Sequence, residues 1–262
     1  MNGVIVYNGP SQWDGKPIVV VITGLWNRSN NPKTGDMLQS WILMRDIHPH
    51  EAIVSGRDES ICGHCIHRRN EDGKRSCYVS MNAPGQIWKA FQRGRYPQVS
   101  PEEASVLVAG KKIRIGAYGD PAMVPVEVWK LLIRHASMTT GYTHQWREMS
   151  NEYSDFCMAS VDTAEDAAHA KALVYRTFRC ITADESLLDQ EVLCPASAEA
   201  GKLTTCDECG LCRGSMSDRS TSIPTIAITV HGVGAGHFKP HTLRKGTEAH
   251  DPLQVDEQIR PA

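Results

Sequence analysis

The chain has 262 residues, 41% of them hydrophobic and 22% charged, with a formal net charge of -2. That length and apolar share suit one large domain or two small ones around a sizeable core. The near-neutral balance excludes a chain driven as a whole onto nucleic acid or an anionic membrane, and no apolar run reaches the roughly 18 residues of a membrane span.

The opening MNGVIVYNGPSQWDGKP has neither a basic start nor a long apolar stretch. It reads as an N-terminal extension without a secretory leader, so the expected compartment is a reducing cytoplasm. Eight short apolar or β-branched runs then follow in chain order: 17–24, 51–56, 112–120, 138–145, 155–162, 175–182, 191–197 and 225–232. Several are continuously apolar, the pattern of strands buried on both faces. Helical patterns fall between them. Residues 36–47 (DMLQSWILMRDI) carry apolar side chains at helical spacing. Ser100-Pro101-Glu102-Glu103 combines an N-cap, a first-turn proline and a third-position glutamate, and Gly110 closes that helix. Val128, Leu131, Leu132 and His135 line one face of the segment after Pro125, and Thr163 with Asp166 opens an alanine-rich helix over 164–173.

Strands alternating with helices imply parallel pairing through right-handed crossovers. Eight strands in a chain near the usual ~250 residues predict an α/β fold of the (β/α)8, TIM-barrel type. The link WREMSNEYS is too short for a full helix, so the barrel is expected to be incomplete or distorted. The expected domain spans 1–236, and the polar segment 237–262 reads as a loosely ordered arm.

In such a barrel the chemistry gathers at the carboxyl ends of the strands. The loop after 17–24 carries Asn30, Lys33 and Thr34. Further strand ends bring Gly119-Asp120-Pro121, Tyr142 to His144, Ser160 with Asp162, and His231. Asp120, His144 and His231 are the candidates for proton transfer, and Gly119, Asp120, Ser160 and Asp162 those for holding a cofactor. Each also has an ordinary role: Asp120 and Asp162 precede helix starts and suit N-caps, and both histidines suit satisfied structural positions.

Nine cysteines in a reducing compartment point to metal. Cys194, Cys206, Cys209 and Cys212 form C-x11-C-x2-C-x2-C, with Pro195 after the first. Four thiolates complete a tetrahedral zinc site or hold a 4Fe-4S cluster, and the tandem spacing with a remote Cys-Pro favours iron–sulfur. Cys62, Cys65 and Cys77 form C-x2-C-x11-C. Here either His64 or His67 completes a zinc site, or a 4Fe-4S cluster keeps one iron without a protein thiolate. Cys157 and Cys180 stand alone in strand-like runs and read as core thiols. Residues 62–114 hold ten Lys/Arg against four Asp/Glu, with Trp88, Phe91 and Tyr96 interleaved, a composition suited to nucleic acid or a nucleotide.

The stretches TGLWNRSNNPKTGDMLQSWIL, SICGHCIHRR, SCYV, WKAFQRGRYP, TGYTHQW, CPAS, CDECGLCRG and ITVHG resemble a family of bacteriophage-encoded proteins of unknown function, over roughly residues 17 to 236. The resemblance implies a host-cell cytoplasmic location. More distantly the layout resembles the radical S-adenosylmethionine (SAM) enzymes. Those are full or partial (β/α) barrels whose open cluster iron binds SAM through its amino and carboxylate groups. That resemblance implies a SAM-dependent enzyme modifying a nucleotide, nucleic acid or protein, with Gly119-Asp120 near the SAM amino group. The first cysteine group differs from their C-x3-C-x2-C loop in its longer second gap, and it follows the second predicted strand rather than the first. The competing reading is a non-catalytic binding module with structural zinc or iron–sulfur sites.

Overall fold

The computed structural model describes residues 2–27, 31–215, 223–232 and 234–239. Asn30 and nearly all of the expected C-terminal arm lie outside these. Nine strands form one sheet in the order β1-β2-β3-β4-β5-β6-β7-β9-β8. β1 (Gly3–Pro10), β2 (Pro17–Thr23) and β3 (Leu38–Met44) pair antiparallel. From β3 onward every pairing is parallel: β4 (Lys112–Tyr118), β5 (Met138–Thr143), β6 (Met158–Val161), β7 (Thr177–Ile181), β9 (Thr225–Thr229) and β8 (Glu191–Leu193). The expected α/β class therefore holds, with a mostly parallel sheet.

Two expected elements exchange type. Residues 36–47 form strand β3 rather than a helix, and the apolar run 51–56 lies mostly in helix α1 (Pro49–Val54). The physical reason for the first is burial on both faces. Within β3 only Trp41 is less than fully buried, so its apolar residues need no two-residue alternation. In α1, Pro49 takes the first helical turn and His48 caps it by accepting from His50 N–H, which outweighs the strand preference of Ile53 and Val54. β1 is an additional strand, covering the expected extension and continuing through a turn closed by Ser11 N–H to Lys16 O at 2.8 Å.

The other helices are α2 (Glu59–Cys62), α3 (Asn82–Gln92), α4 (Pro101–Val108), α5 (Val126–Ile133), α6 (Ala164–Ala172) and the single turn α7 (Cys206–Cys209). α4 begins with the expected reciprocal cap between Ser100 and Glu103, and α6 with Thr163 accepting from Asp166 N–H at 3.0 Å. The short link before β6 holds only a 3-10 turn, Asn151–Asp155. Trp88, Phe91 and Tyr96 pack against the main core, so the aromatics of the basic stretch serve packing. Cys157 is fully buried, as expected of a core thiol.

The parallel strands sort their residues by parity. On β4, Ile113 and Ile115 are fully buried in the main core, whereas Arg114, Gly116 and Tyr118 line a cavity. On β7, Phe178 and Cys180 face that same cavity. A second, smaller apolar cluster joins Met158, Ile226 and Ile228 to Cys194 and Ala196, with Cys206 and Cys212 packed against it.

Candidate metal-binding cavity

Residues at the carboxyl ends of the parallel strands enclose a cavity with about 1350 Å³ of empty space, its open mouth included. Tyr118, Gly119 and Asp120 come from the end of β4, Tyr142 and His144 from β5, and Ser160 from β6. Phe178 and Cys180 enter from β7, and Ile228 to His231 from β9. Cys62, Cys65 and Cys77 form one wall, and Cys194 and Cys206 face the same space. All nine cysteines are free thiols.

The first cysteine group follows β3, the first strand of the parallel run, by way of α1 and α2. Three clamps hold it. Asp120 N–H donates to Ile61 O at 2.7 Å, tying the end of β4 to α2. Gln145 donates its side-chain N–H to Cys62 O at 3.0 Å and accepts from His64 N–H at 3.2 Å. Cys77 N–H donates to His67 O at 3.0 Å, folding the eleven-residue gap back toward Cys65. Burial is the main cause that raises the thiols of Cys62, Cys65 and Cys77 above their ordinary range. Cys65 and Cys77 push Cys62 further up, which marks the three as near neighbours.

Both nearby histidines make contacts of their own. His64 is exposed, with Nδ1 at 3.3 Å from Glu148 and its ring edge against Trp13. His67 is buried, and both ring nitrogens are engaged: Nδ1 with Ser76 Oγ at 2.9 Å and Nε2 with Asp162 Oδ1 at 3.1 Å. His67 thus fastens the first cysteine loop to the end of β6.

The second group sits on α7 and its flanks. Cys206 N–H donates to Lys33 O at 2.8 Å, and Asp36 N–H to Asp207 at 3.0 Å, so the loop after β2 cradles the turn. Cys194 follows β8 and is fixed by its N–H to Ala227 O at 2.8 Å. Burial pushes the Cys212 thiol up to about 12, with Cys194, Cys206 and Cys209 adding to the rise while a hydrogen bond from Tyr142 opposes it. Burial likewise raises Cys206, and Cys194 and Cys209 act on it in the same direction. Crowded neutral thiols of this kind give up their protons to a metal.

The ligand atoms of His67, Asp162 and Cys180 lie within 4.8 Å of one another, the one His/Cys/Asp/Glu set that draws so close among the described residues. Nine cysteines and this set are the metal-binding capacity on view. Cys180 thereby departs from a plain core thiol: it lines the cavity beside His67.

The candidate polar residues fall as follows. Asp120 is buried, and accepts from Ala122 N–H at 3.0 Å and His144 N–H at 2.7 Å. It therefore caps the turn after β4 and pins the end of β5. Burial raises its carboxyl, opposed chiefly by His144. Gly119 packs where no side chain fits: an added Cβ would stand 2.7 Å from Ile42 Cβ and 2.9 Å from Ile42 O, at a φ of +81°. Gly119→Ala is therefore expected to cost roughly 1–3 kcal/mol in urea unfolding; a variant as stable as the parent would show that β4 and β3 can part at no cost. His144 lines the cavity, and its Nε2 is buried without a hydrogen-bond partner among the described residues. His231 lines the cavity, its Nδ1 at 2.8 Å from Thr229 O. Ser160 and Asp162 are buried, Ser160 in the cavity wall and Asp162 behind His67.

Sequence reasoning did not single out Gln145, the His67–Asp162–Cys180 set, or Arg114. For Arg114 a signal existed: a lone cation between two isoleucines of a strand, on the opposite parity from the core. In the basic stretch 62–114, Arg69, Lys74, Lys89, Arg93, Arg95 and Lys111 are exposed, while Arg68, Arg75, Lys112 and Arg114 are half-buried. Arg68 pairs with Asp58 at 2.8 Å, Arg69 and Arg75 donate to backbone carbonyls, and Lys111 donates to Leu25 O. No helix among the described residues is long and apolar enough to cross a membrane. Comparisons with family models, curated proteins and solved structures found no match for this chain.

Proposed function

We propose that this chain is an iron–sulfur enzyme of the radical-SAM kind, built on a partial (β/α) barrel and modifying a nucleotide, nucleic acid or protein. The observation that carries the reading is a three-thiol group lining a cavity at the strand ends, with His67 bonded through both ring nitrogens to Ser76 and Asp162 and the exposed His64 bonded through Nδ1 to Glu148. A closed structural site takes four protein ligands, whereas a reactive one keeps a position free.

The tandem C-x2-C-x2-C spacing of Cys206, Cys209 and Cys212, with the remote Cys194-Pro195, supports a cluster over zinc in the second group. The position of the first group supports the radical-SAM resemblance, because it follows the first strand of the parallel run. The alternating cavity-facing residues of β4 and β7 support a barrel-like interior.

In this reading Cys62, Cys65 and Cys77 hold an open 4Fe-4S cluster, and Cys194, Cys206, Cys209 and Cys212 a second, closed one. When bound, the open cluster supplies a ligand position for SAM and the electron that cleaves it. The chain's own residues then have distinct tasks. Gly119 lets the β4 end approach the cysteine loop closely, and Asp120 holds β5 in register with it. His144 presents a nitrogen unpartnered among the described residues at the cavity wall, placed to exchange a proton with a bound molecule. His231 offers a second imidazole in the cavity lining.

The test is incubation of the anaerobic, reduced protein with SAM. Release of 5′-deoxyadenosine, together with absorbance near 400 nm, is the expected result. A colourless protein with stoichiometric zinc and no SAM cleavage would overturn the reading in favour of a binding module.

A further inference from the structure

The cavity wall between the two cysteine groups carries cations with no acid to match. Arg114 projects from β4 into the cavity, with Nη2 donating to Tyr78 Oη at 3.3 Å and its guanidinium 5.9 Å from the Tyr142 ring centroid. Its Nε is buried without a hydrogen-bond partner among the described residues. Lys33 and Arg75 line the same space, and neither they nor Arg114 pairs with a carboxylate among the described residues. The acids in the lining are already committed: Asp58 to Arg68, Asp120 to two backbone N–H groups.

A half-buried guanidinium with one nitrogen cut off from water and no carboxylate beside it among the described residues is suited to receive an anion. Donors line this wall from different elements: Arg114 from β4, Lys33 from the loop between β2 and β3, the Tyr78 hydroxyl from the first cysteine loop, and His231 from beyond β9, its ring centroid 5.4 Å from that of Tyr78. The Tyr142–Phe178 pair, with ring centroids 4.4 Å apart, gives the neighbouring wall an apolar aromatic face. We infer that Arg114, with Lys33 and Tyr78, binds the oxyanion of a small organic substrate, a phosphate or carboxylate, whose body rests against Tyr142 and Phe178. The inference rests on the reading above, since the bound molecule is the one held between the two cysteine groups.

Equilibrium dialysis of the anaerobic protein with radiolabelled inorganic phosphate, and separately benzoate, tests this, with iron content measured on each sample. Binding of either probe, weakened at least about tenfold in Arg114→Gln, partly restored in Arg114→Lys, and weakened several-fold in Lys33→Gln, supports the site. Which probe binds tells phosphate from carboxylate. Circular dichroism checks that each variant is folded, and Lys33→Gln, at the rim, keeps the test open should Arg114→Gln unfold. Saturable binding of neither probe to a sample rich in iron would overturn the inference, leaving the cations as mere counter-charge to the cysteine groups. Exclusion of the bound probe by SAM would overturn it too, by assigning the wall to the cofactor. Arg114-dependent binding in a sample without iron would keep the oxyanion site and remove the iron–sulfur reading instead.

Discussion

A Cys77→Ala chain purified anaerobically will carry about half the iron of the unaltered chain. Cys77 is the far member of the three-thiol group, brought back to Cys65 by its backbone bond to His67. Removing it leaves two thiols, and a cluster bound by two protein ligands is lost readily. The second group does not depend on it. Cys194, Cys206, Cys209 and Cys212 are held by β8, the Lys33 loop and the small apolar cluster, none of which includes Cys77. Cys212→Ala is the mirror experiment and should spare the first centre. Unchanged iron in Cys77→Ala, or loss of all iron in both variants, would show that the two groups do not form independent centres.

Glu191→Ala is expected to lower stability by about 3–5 kcal/mol. Glu191 accepts from Arg179 at 2.7 and 3.1 Å and from Leu188 N–H at 2.9 Å, and the side chains of Arg179 and Glu191 are 2% and 0% exposed. Truncation strands a buried guanidinium whose remaining acid, Glu185, reaches only Nη1 at 3.1 Å. The effect should spread to the site, because Glu191 opens β8 and Cys194 follows it directly. Urea unfolding measures the first effect and iron content of the second centre the other. A loss under about 1 kcal/mol would mean that Arg179 finds water or another partner.

Much of this site was legible before the fold was known. The two cysteine spacings and the polar residues at strand ends 119–120, 142–144, 160–162 and 231 share one cavity or its immediate support. They were readable because clustered thiols and strand-end loops leave local marks: close cysteine pairs, and Gly, Asp or His after an apolar run. The β3 and α1 exchange was not readable. A strand buried on both faces loses its alternation, and DMLQSWILMRDI then matches helical spacing equally well. That exchange also moved the first cysteine group from the second predicted strand to the first strand of the parallel run. The engagement of His67 was hidden for another reason. Its partners, Ser76 and Asp162, come from a loop and a strand end far apart in sequence, and only the folded sheet brings them together.

The proposed cluster at Cys62, Cys65 and Cys77, with one position open to the cavity, is tested by counting iron and acid-labile sulfide on the anaerobically purified chain, read beside the spectrum of the reduced protein before and after SAM is added. About eight iron and eight sulfide per chain, two four-iron clusters, are expected, with a change in the electron-paramagnetic signal of one cluster on adding SAM. Zinc in place of iron, or full iron loading with no response to SAM in either cluster, would contradict it.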